Sequence, residues 1–149
     1  MKQLFYTLAI TLGFFASTGF ATDLATEPTR QLAANEATVK EVSVGQVSVA
    51  QVQQFVKTKA ANVAILDANN DSARGFAGVV PGAILLSSYS EYALTELPKD
   101  KNTTLVFYCY NSYCQASDAA AQRAIFAGYK DARVMKAGIV GWNKANPKT

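Results

Sequence analysis

The sequence predicts an α/β fold, a three-layer arrangement with a mostly parallel central sheet and helices on both faces. Two observations carry that expectation. Short, mostly apolar runs recur at residues 63–66, 84–86, 104–108 and 132–135, and all but the last, which holds Arg133, lack polar alternation, as strands buried on both faces require. Segments with helical spacing separate several of these runs, and strands that alternate with helices pair in parallel beneath them. In such sheets, ligands gather beyond the carboxyl ends of the strands.

The ordered domain is expected to begin near residue 42. Ser48 and Gln51 have the spacing of a capping box, in which each side chain bonds the other residue's backbone amide. Val49, Val52, Phe55 and Val56 then fall on one face of a helix of about ten residues. Val63-Ala64-Ile65-Leu66 reads as a strand closed by Asp67, which is expected to tie down a neighbouring loop. Residues 67–78 read as a polar connection punctuated by Gly75 and Gly78. Pro81-Gly82 joins a fixed φ to a permissive one, the pairing a type II turn needs, just before the strand at 84–86.

A short helix is expected over 90–97, stopped by Pro98 and followed by a charged turn at 99–102. Thr104-Leu105-Val106-Phe107-Tyr108 is the next buried strand, and residues 115–127 the next helix, with Gly128 as its C′ cap. Residues 132–135 form a further strand. Residues 137–142 lead into a closing helix, whose Trp142 belongs in the core. No internal repeat is present.

The first 21 residues read as an export signal. Lys2 supplies a positive start, residues 4–16 are apolar apart from Thr7, Thr11 and Gly13, and Gly19-Phe20-Ala21 offers small residues for cleavage near Ala21. The apolar stretch is too short for a comfortable membrane span. A periplasmic or secreted protein is therefore expected, with no membrane contact after cleavage. Residues 22–41, rich in Ala, Thr and Glu, read as a flexible arm, and residues 42–149 as one domain. The formal charge of +3 falls to +2 without Lys2, and the basic residues are scattered, so nothing suggests nucleic acid. Histidine is absent, which removes Ser-His-Asp and Cys-His catalysis and most zinc sites.

Cys109 and Cys114 are the only cysteines, and they bracket the loop Tyr110-Asn111-Ser112-Tyr113 between a strand and a helix. A thiol at that junction sits at the positive end of the helix dipole, among amides lacking an intrahelical partner. Such surroundings favour thiolate and give an anion a resting place. Cys109 is therefore the candidate nucleophile and Cys114 a resolving thiol or disulfide partner. Tyr110, Asn111, Ser112, Tyr113 and Gln115 are the candidate substrate contacts, with the loop amides facing the sulfur. A structural disulfide is the competing reading, although a bridge closing so small a loop removes little entropy from the unfolded chain.

Over roughly residues 42–145 the chain resembles the rhodanese-like family of sulfurtransferases. Leu66-Asp67-Ala68-Asn69 is similar to the family's Leu-Asp-Val-Arg, and Gly78-Val79-Val80-Pro81-Gly82-Ala83 to its Gly-His-Ile-Pro-Gly-Ala. Val106-Phe107-Tyr108-Cys109 looks like the strand delivering its active cysteine, and Gly128-Tyr129 and Ala137-Gly138-Ile139-Val140-Gly141-Trp142 like its closing motifs. The resemblance implies that Cys109 takes a sulfane sulfur from a donor such as thiosulfate, becoming a persulfide, and passes it to cyanide or a thiol. It implies no cofactor, and as partners a small sulfur-containing anion or thiol, or a periplasmic thiol protein.

The chain departs from the family where Gly and Arg commonly follow three and five residues after the cysteine, since Ser112 and Cys114 stand there. Losing the Arg removes a cation that would hold thiosulfate through paired hydrogen bonds. The second thiol can instead attack a sulfur held on Cys109, releasing hydrosulfide and closing a disulfide. Three other readings fit less well. Phosphatase chemistry needs an Arg after a longer loop, thioredoxin-like exchange wants two residues between the cysteines rather than four, and two thiolates alone suit only two-coordinate copper(I). Thiol–disulfide redox exchange by the Cys109/Cys114 pair on this scaffold stays an alternative. A non-catalytic binding module with a locked disulfide is the main non-enzymatic alternative.

Overall fold

The computed structural model describes residues 43–147, so the expected export signal and the expected arm lie outside the described residues. Five strands form a single sheet in the order β1-β5-β4-β2-β3, every neighbouring pair parallel. They are β1 (Gly45–Gln46), β2 (Val63–Asp67), β3 (Ile84–Leu85), β4 (Thr104–Tyr108) and β5 (Ala132–Val134). Four α-helices accompany them: α1 (Val49–Thr58), α2 (Asp71–Ala77), α3 (Ala116–Phe126) and α4 (Gly138–Ala145). The expected three-layer α/β fold is the one observed.

The pleat of β4 sorts the core into two halves. Leu105 and Phe107 project to the side covered by α3, where they join Leu66, Ala120, Ala121 and Ala124. Val106 and Tyr108 project to the opposite side, where Val52 of α1 and Ile139 and Trp142 of α4 complete the layer. Alternate side chains of a strand must face opposite ways, so burial on both faces demands an apolar run throughout. β4 is also the middle strand and pairs with β2 over its whole length, from Val63 opposite Thr104 to Asp67 opposite Tyr108. Whatever follows β4 therefore starts from the most firmly held strand of the sheet.

Local signals behave as their chemistry dictates. The Ser48 hydroxyl accepts from the Gln51 amide at 3.3 Å, and the Gln51 side chain accepts from the Ser48 amide at 2.9 Å. The Ala83 amide donates to the Val80 carbonyl at 3.0 Å across Pro81-Gly82, with Gly82 at a φ of 77°. At the end of α3, Gly128 has a φ of 92°, its amide donates to the Ile125 carbonyl, and the Tyr129 amide reaches Ala124, which is a Schellman closure.

Three expectations need correction. The connection at 67–78 contains α2, capped by the Asn70 side chain, which accepts from the Ala73 amide at 2.9 Å. Arg74 of that helix spans two strand ends, donating to the Asp67 and Leu86 carbonyls at 3.1 and 2.8 Å. The helix expected over 90–97 reduces to one 3-10 turn, Leu94–Glu96. Tyr92 is drawn into the core there, with its hydroxyl donating to the Ala120 carbonyl at 2.9 Å, and the Glu96 carboxylate holds the Ser87 and Ala93 amides. The edge strand β1, two residues long, lies in a stretch expected to have no element before the first helix.

Behind the carboxyl ends of β2 and β4 lies a buried polar cluster. Asp67 is fully buried; its carboxyl accepts from the Asn69 amide at 2.7 Å and from the Tyr108 hydroxyl at 2.7 Å. The same hydroxyl accepts from the Val80 amide at 3.0 Å. Burial pushes the Tyr108 phenol well above its ordinary range, with the Asp67 charge adding to the rise. Replacing Tyr108 by Phe strands one buried donor and one buried acceptor, and is expected to cost about 1–3 kcal/mol in urea unfolding. The folded chain keeps this proton where the unfolded chain releases it. The contribution is thus full below a pH of about 10 and fades as the pH rises further, and the Phe variant should lose less stability there.

Candidate functional site

The loop after β4 begins at Cys109, which is 1% exposed, and its backbone is fixed from the far end of the domain. The Ile139 amide donates to the Cys109 carbonyl at 2.8 Å, and the Val140 amide to the Tyr110 carbonyl at 3.0 Å. These are first-turn amides of α4, which have no intrahelical acceptor and here find one in the loop. Gly138 enables the approach. Its φ is 60°, and a Cβ at that position would stand 2.5 Å from the Tyr110 carbonyl carbon and 2.7 Å from the Asn111 nitrogen. Only a residue without a side chain fits.

Past Tyr110 the loop turns on Asn111. Its side-chain oxygen accepts from the Tyr113 amide and its carbonyl from the Cys114 amide, both at 3.1 Å. That double bond-out explains how five residues return the chain far enough to bring the two sulfurs together. The Cα atoms of Cys109 and Cys114 are 6.3 Å apart and the side chains form a disulfide. The separation lies within the range a bridge tolerates.

The surroundings of the Cys109 sulfur differ from the expected ring of loop amides. Tyr113 and Cys114 spend their amides on Asn111, so those two donors serve the turn. The sulfur's polar neighbours are the Ser117 hydroxyl and the Cys114 carbonyl oxygen, each at 3.3 Å. Ser117 is the second residue of α3 and is 1% exposed. Sequence reasoning missed it. The available signal was its spacing, one helical turn beyond Cys114, which aims a short polar side chain back at the strand end. No side chain caps the start of α3. Among the described residues the amides of Gln115, Ala116 and Ser117 have no protein acceptor. A positive helix end therefore faces the cysteine pair.

The remaining expected contacts are dispersed around this centre. Tyr110 is half-buried against the α1 and α4 layer, and borders an open cleft of about 340 Å³ with Phe76, Ala77 and Val140. Ser112 and Gln115 are exposed, and Tyr113, at 90% exposure, stands out in solvent. Gln115 lines a second cleft, about 700 Å³, together with Tyr89, Ala116 and Lys136. Lys136 bonds Asp118 through its ammonium group, with nitrogen to oxygen distances of 2.6 and 2.7 Å. The cation nearest the start of α3 is thus already paired.

Comparison with known proteins places this geometry in a family. The family model described as the rhodanese-like domain matches residues 48–145. Among solved structures, a Bacillus halodurans protein is 17% identical, with a TM-score of 0.59, covering 80% of this chain and 82% of its own. A thiosulfate sulfurtransferase from Pseudomonas aeruginosa is 20% identical with a TM-score of 0.58, covering 79% of this chain and 21% of that larger one. The rhodanese-like domain of an Anabaena protein is 17% identical with a TM-score of 0.54, covering 70% of this chain and 76% of that one. At these identities the structural likeness shows the fold. A comparison with curated protein sequences gives no match.

Proposed function

The chain belongs to the rhodanese-like domain family, and from that premise we propose an exported sulfurtransferase that loads sulfane sulfur on Cys109 and discharges it with Cys114. The observation that carries this reading is the juncture of both sulfurs at the carboxyl end of the central strand, beside the uncapped start of α3. In the reduced protein, the Cys109 thiolate attacks a sulfane sulfur and becomes a persulfide as the donor's remaining part leaves. Cys114 then attacks the Cys109 sulfur. Its S–H proton and the outer sulfur depart together as hydrosulfide, and the disulfide remains. A thiol reductant, small or protein-borne, restores the pair.

The donor class follows from what the loop lacks. Residues 110–113 carry no cation, Cys114 stands where the family commonly has Arg, and Lys136 is held by Asp118. A persulfide or polysulfide, needing no paired hydrogen bonds to a sulfonate, suits this loop better than thiosulfate. The reading places the protein in the periplasm or outside the cell, on the strength of residues 1–21.

Inorganic polysulfide serves as the probe. The reduced parent protein is expected to release about one hydrosulfide per disulfide formed, whereas Cys114→Ser should retain one extra sulfur atom on Cys109, as read by intact and peptide mass spectrometry. The joined cysteines also suit a thiol–disulfide redox protein, and the same proteins, with glutathione disulfide as a second probe, separate the two. No extra sulfur on the Cys114→Ser variant, together with a reduced parent pair that glutathione disulfide oxidises fully with release of two glutathione thiols, would favour redox exchange.

A further inference from the structure

The two sulfurs of the bridge are not equivalent, and the difference assigns a direction to its reduction. Cys109 is 1% exposed, enclosed in the layer that holds Phe107, Ala120 and Ala121. Cys114 is half-buried, on the outer arm of the loop, next to the 90% exposed Tyr113. A thiolate attacks a disulfide sulfur in line with the bond it breaks, so the attacked sulfur must be reachable from solvent. With the bridge closed, only Cys114 meets that condition.

The leaving side is prepared as well. The Ser117 hydroxyl is buried, and among the described residues its partner is the Cys109 sulfur, at 3.3 Å. A disulfide sulfur accepts hydrogen bonds weakly, whereas a thiolate accepts them strongly, so this contact strengthens as the bridge opens. The unbonded amides of Ala116 and Ser117 add positive potential at the same spot.

We propose that an incoming thiolate attacks the Cys114 sulfur, that Cys109 departs as thiolate, and that Ser117 is the positioning residue that holds it. The first step forms an S–S bond between the incoming thiol and Cys114 while the Cys109–Cys114 bond breaks, its electron pair staying on Cys109. A second thiolate then attacks the sulfur of the incoming thiol in that mixed disulfide, yielding an external disulfide and the Cys114 thiolate. Two electrons pass from the two thiols to the protein. The proposal rests on the Cys109–Cys114 pair being cycled, as in the proposed function, but it concerns the reductive half alone.

The test uses the full oxidised chain, with glutathione as the probe thiol and excess N-ethylmaleimide added after a brief exposure to trap freed thiols. Peptide mapping should find glutathione on Cys114 and the maleimide on Cys109 in at least about a tenfold excess over the reverse arrangement. The reverse pattern, or a bridge that glutathione does not open, overturns the proposal. For Ser117, alkylation of Cys109 is followed against pH in the Cys114→Ser background. Adding Ser117→Ala should move the profile to higher pH and slow alkylation at neutral pH about tenfold, and Ser117→Thr, which keeps the hydroxyl, should restore much of it. Profiles that coincide for Ser, Ala and Thr remove Ser117 from the scheme. Glutathione exchange needs no sulfane sulfur, so failure of the persulfide reading leaves this outcome legible.

Discussion

Cys109→Ser is expected to take up no sulfane sulfur from polysulfide, while Cys114→Ser retains it. Both substitutions delete the same bridge. Closing so short a loop is worth about 2 kcal/mol or less by the loop-entropy argument, so both variants should unfold at similar denaturant concentrations. Stability is thus held level while chemistry is varied. The alcohol at 109 has the shape to sit beside Ser117 but lacks a nucleophile of thiolate strength. Measurement is by intact mass after polysulfide treatment and removal of excess reagent. A Cys109→Ser protein that gains sulfur as fully as Cys114→Ser would transfer the role to Cys114 and end the present assignment.

Gly138→Ala should do the greatest damage of any single methyl group added to the domain. The residue sits at a φ of 60°, where an L side chain costs about 1–2 kcal/mol. The new Cβ would also meet the Tyr110 carbonyl group at 2.5 Å, and the obstacle is backbone, which cannot rotate away. Relief requires the loop to separate from α4, with loss of the Ile139 and Val140 hydrogen bonds to Cys109 and Tyr110. The expected total is about 3–5 kcal/mol in stability, combining left-handed strain with overpacking. Sulfur loading should slow in the fraction that remains folded, because the same contacts place Cys109. A loss below about 1 kcal/mol with normal loading would mean the loop is not anchored this way.

These two outcomes also show what could be read before any coordinates. The central strand, its cysteine and the helix after it were legible because an apolar run, a short polar loop and an Ala-rich helix-forming segment follow one another. Pro81-Gly82 and Ser48-Gln51 were legible for a different reason, as each is a local hydrogen-bond solution that needs no distant partner. α2 was hidden because it buries no residue fully and so displays no apolar stripe; its support is the Asn70 cap and the reach of Arg74. The segment at 90–97 failed as a helix because distant contacts of Tyr92, its hydroxyl to Ala120 and its carbonyl from Arg123, outweigh local preference.

The same division runs through the site. That Cys114 can reach back toward Cys109 was legible from spacing, whereas whether the two are bridged was not. The destination of each loop amide could not, because Asn111 competes for them as both side-chain and main-chain acceptor. Ser117 escaped for a related reason. A serine early in a helix is ordinarily read as solvated, and only the packing of α3 against the strand end shows that it is enclosed.

The clasp between α4 and the cysteine loop joins residues roughly thirty positions apart along the chain. Synthesis proceeds from the amino end, so the two cysteines emerge before the helix that seats their loop. Until residues 138–145 follow, the Cys109 and Tyr110 carbonyls lack the amides that fix them. The geometry of the cysteine loop is therefore completed only once α4 has been made.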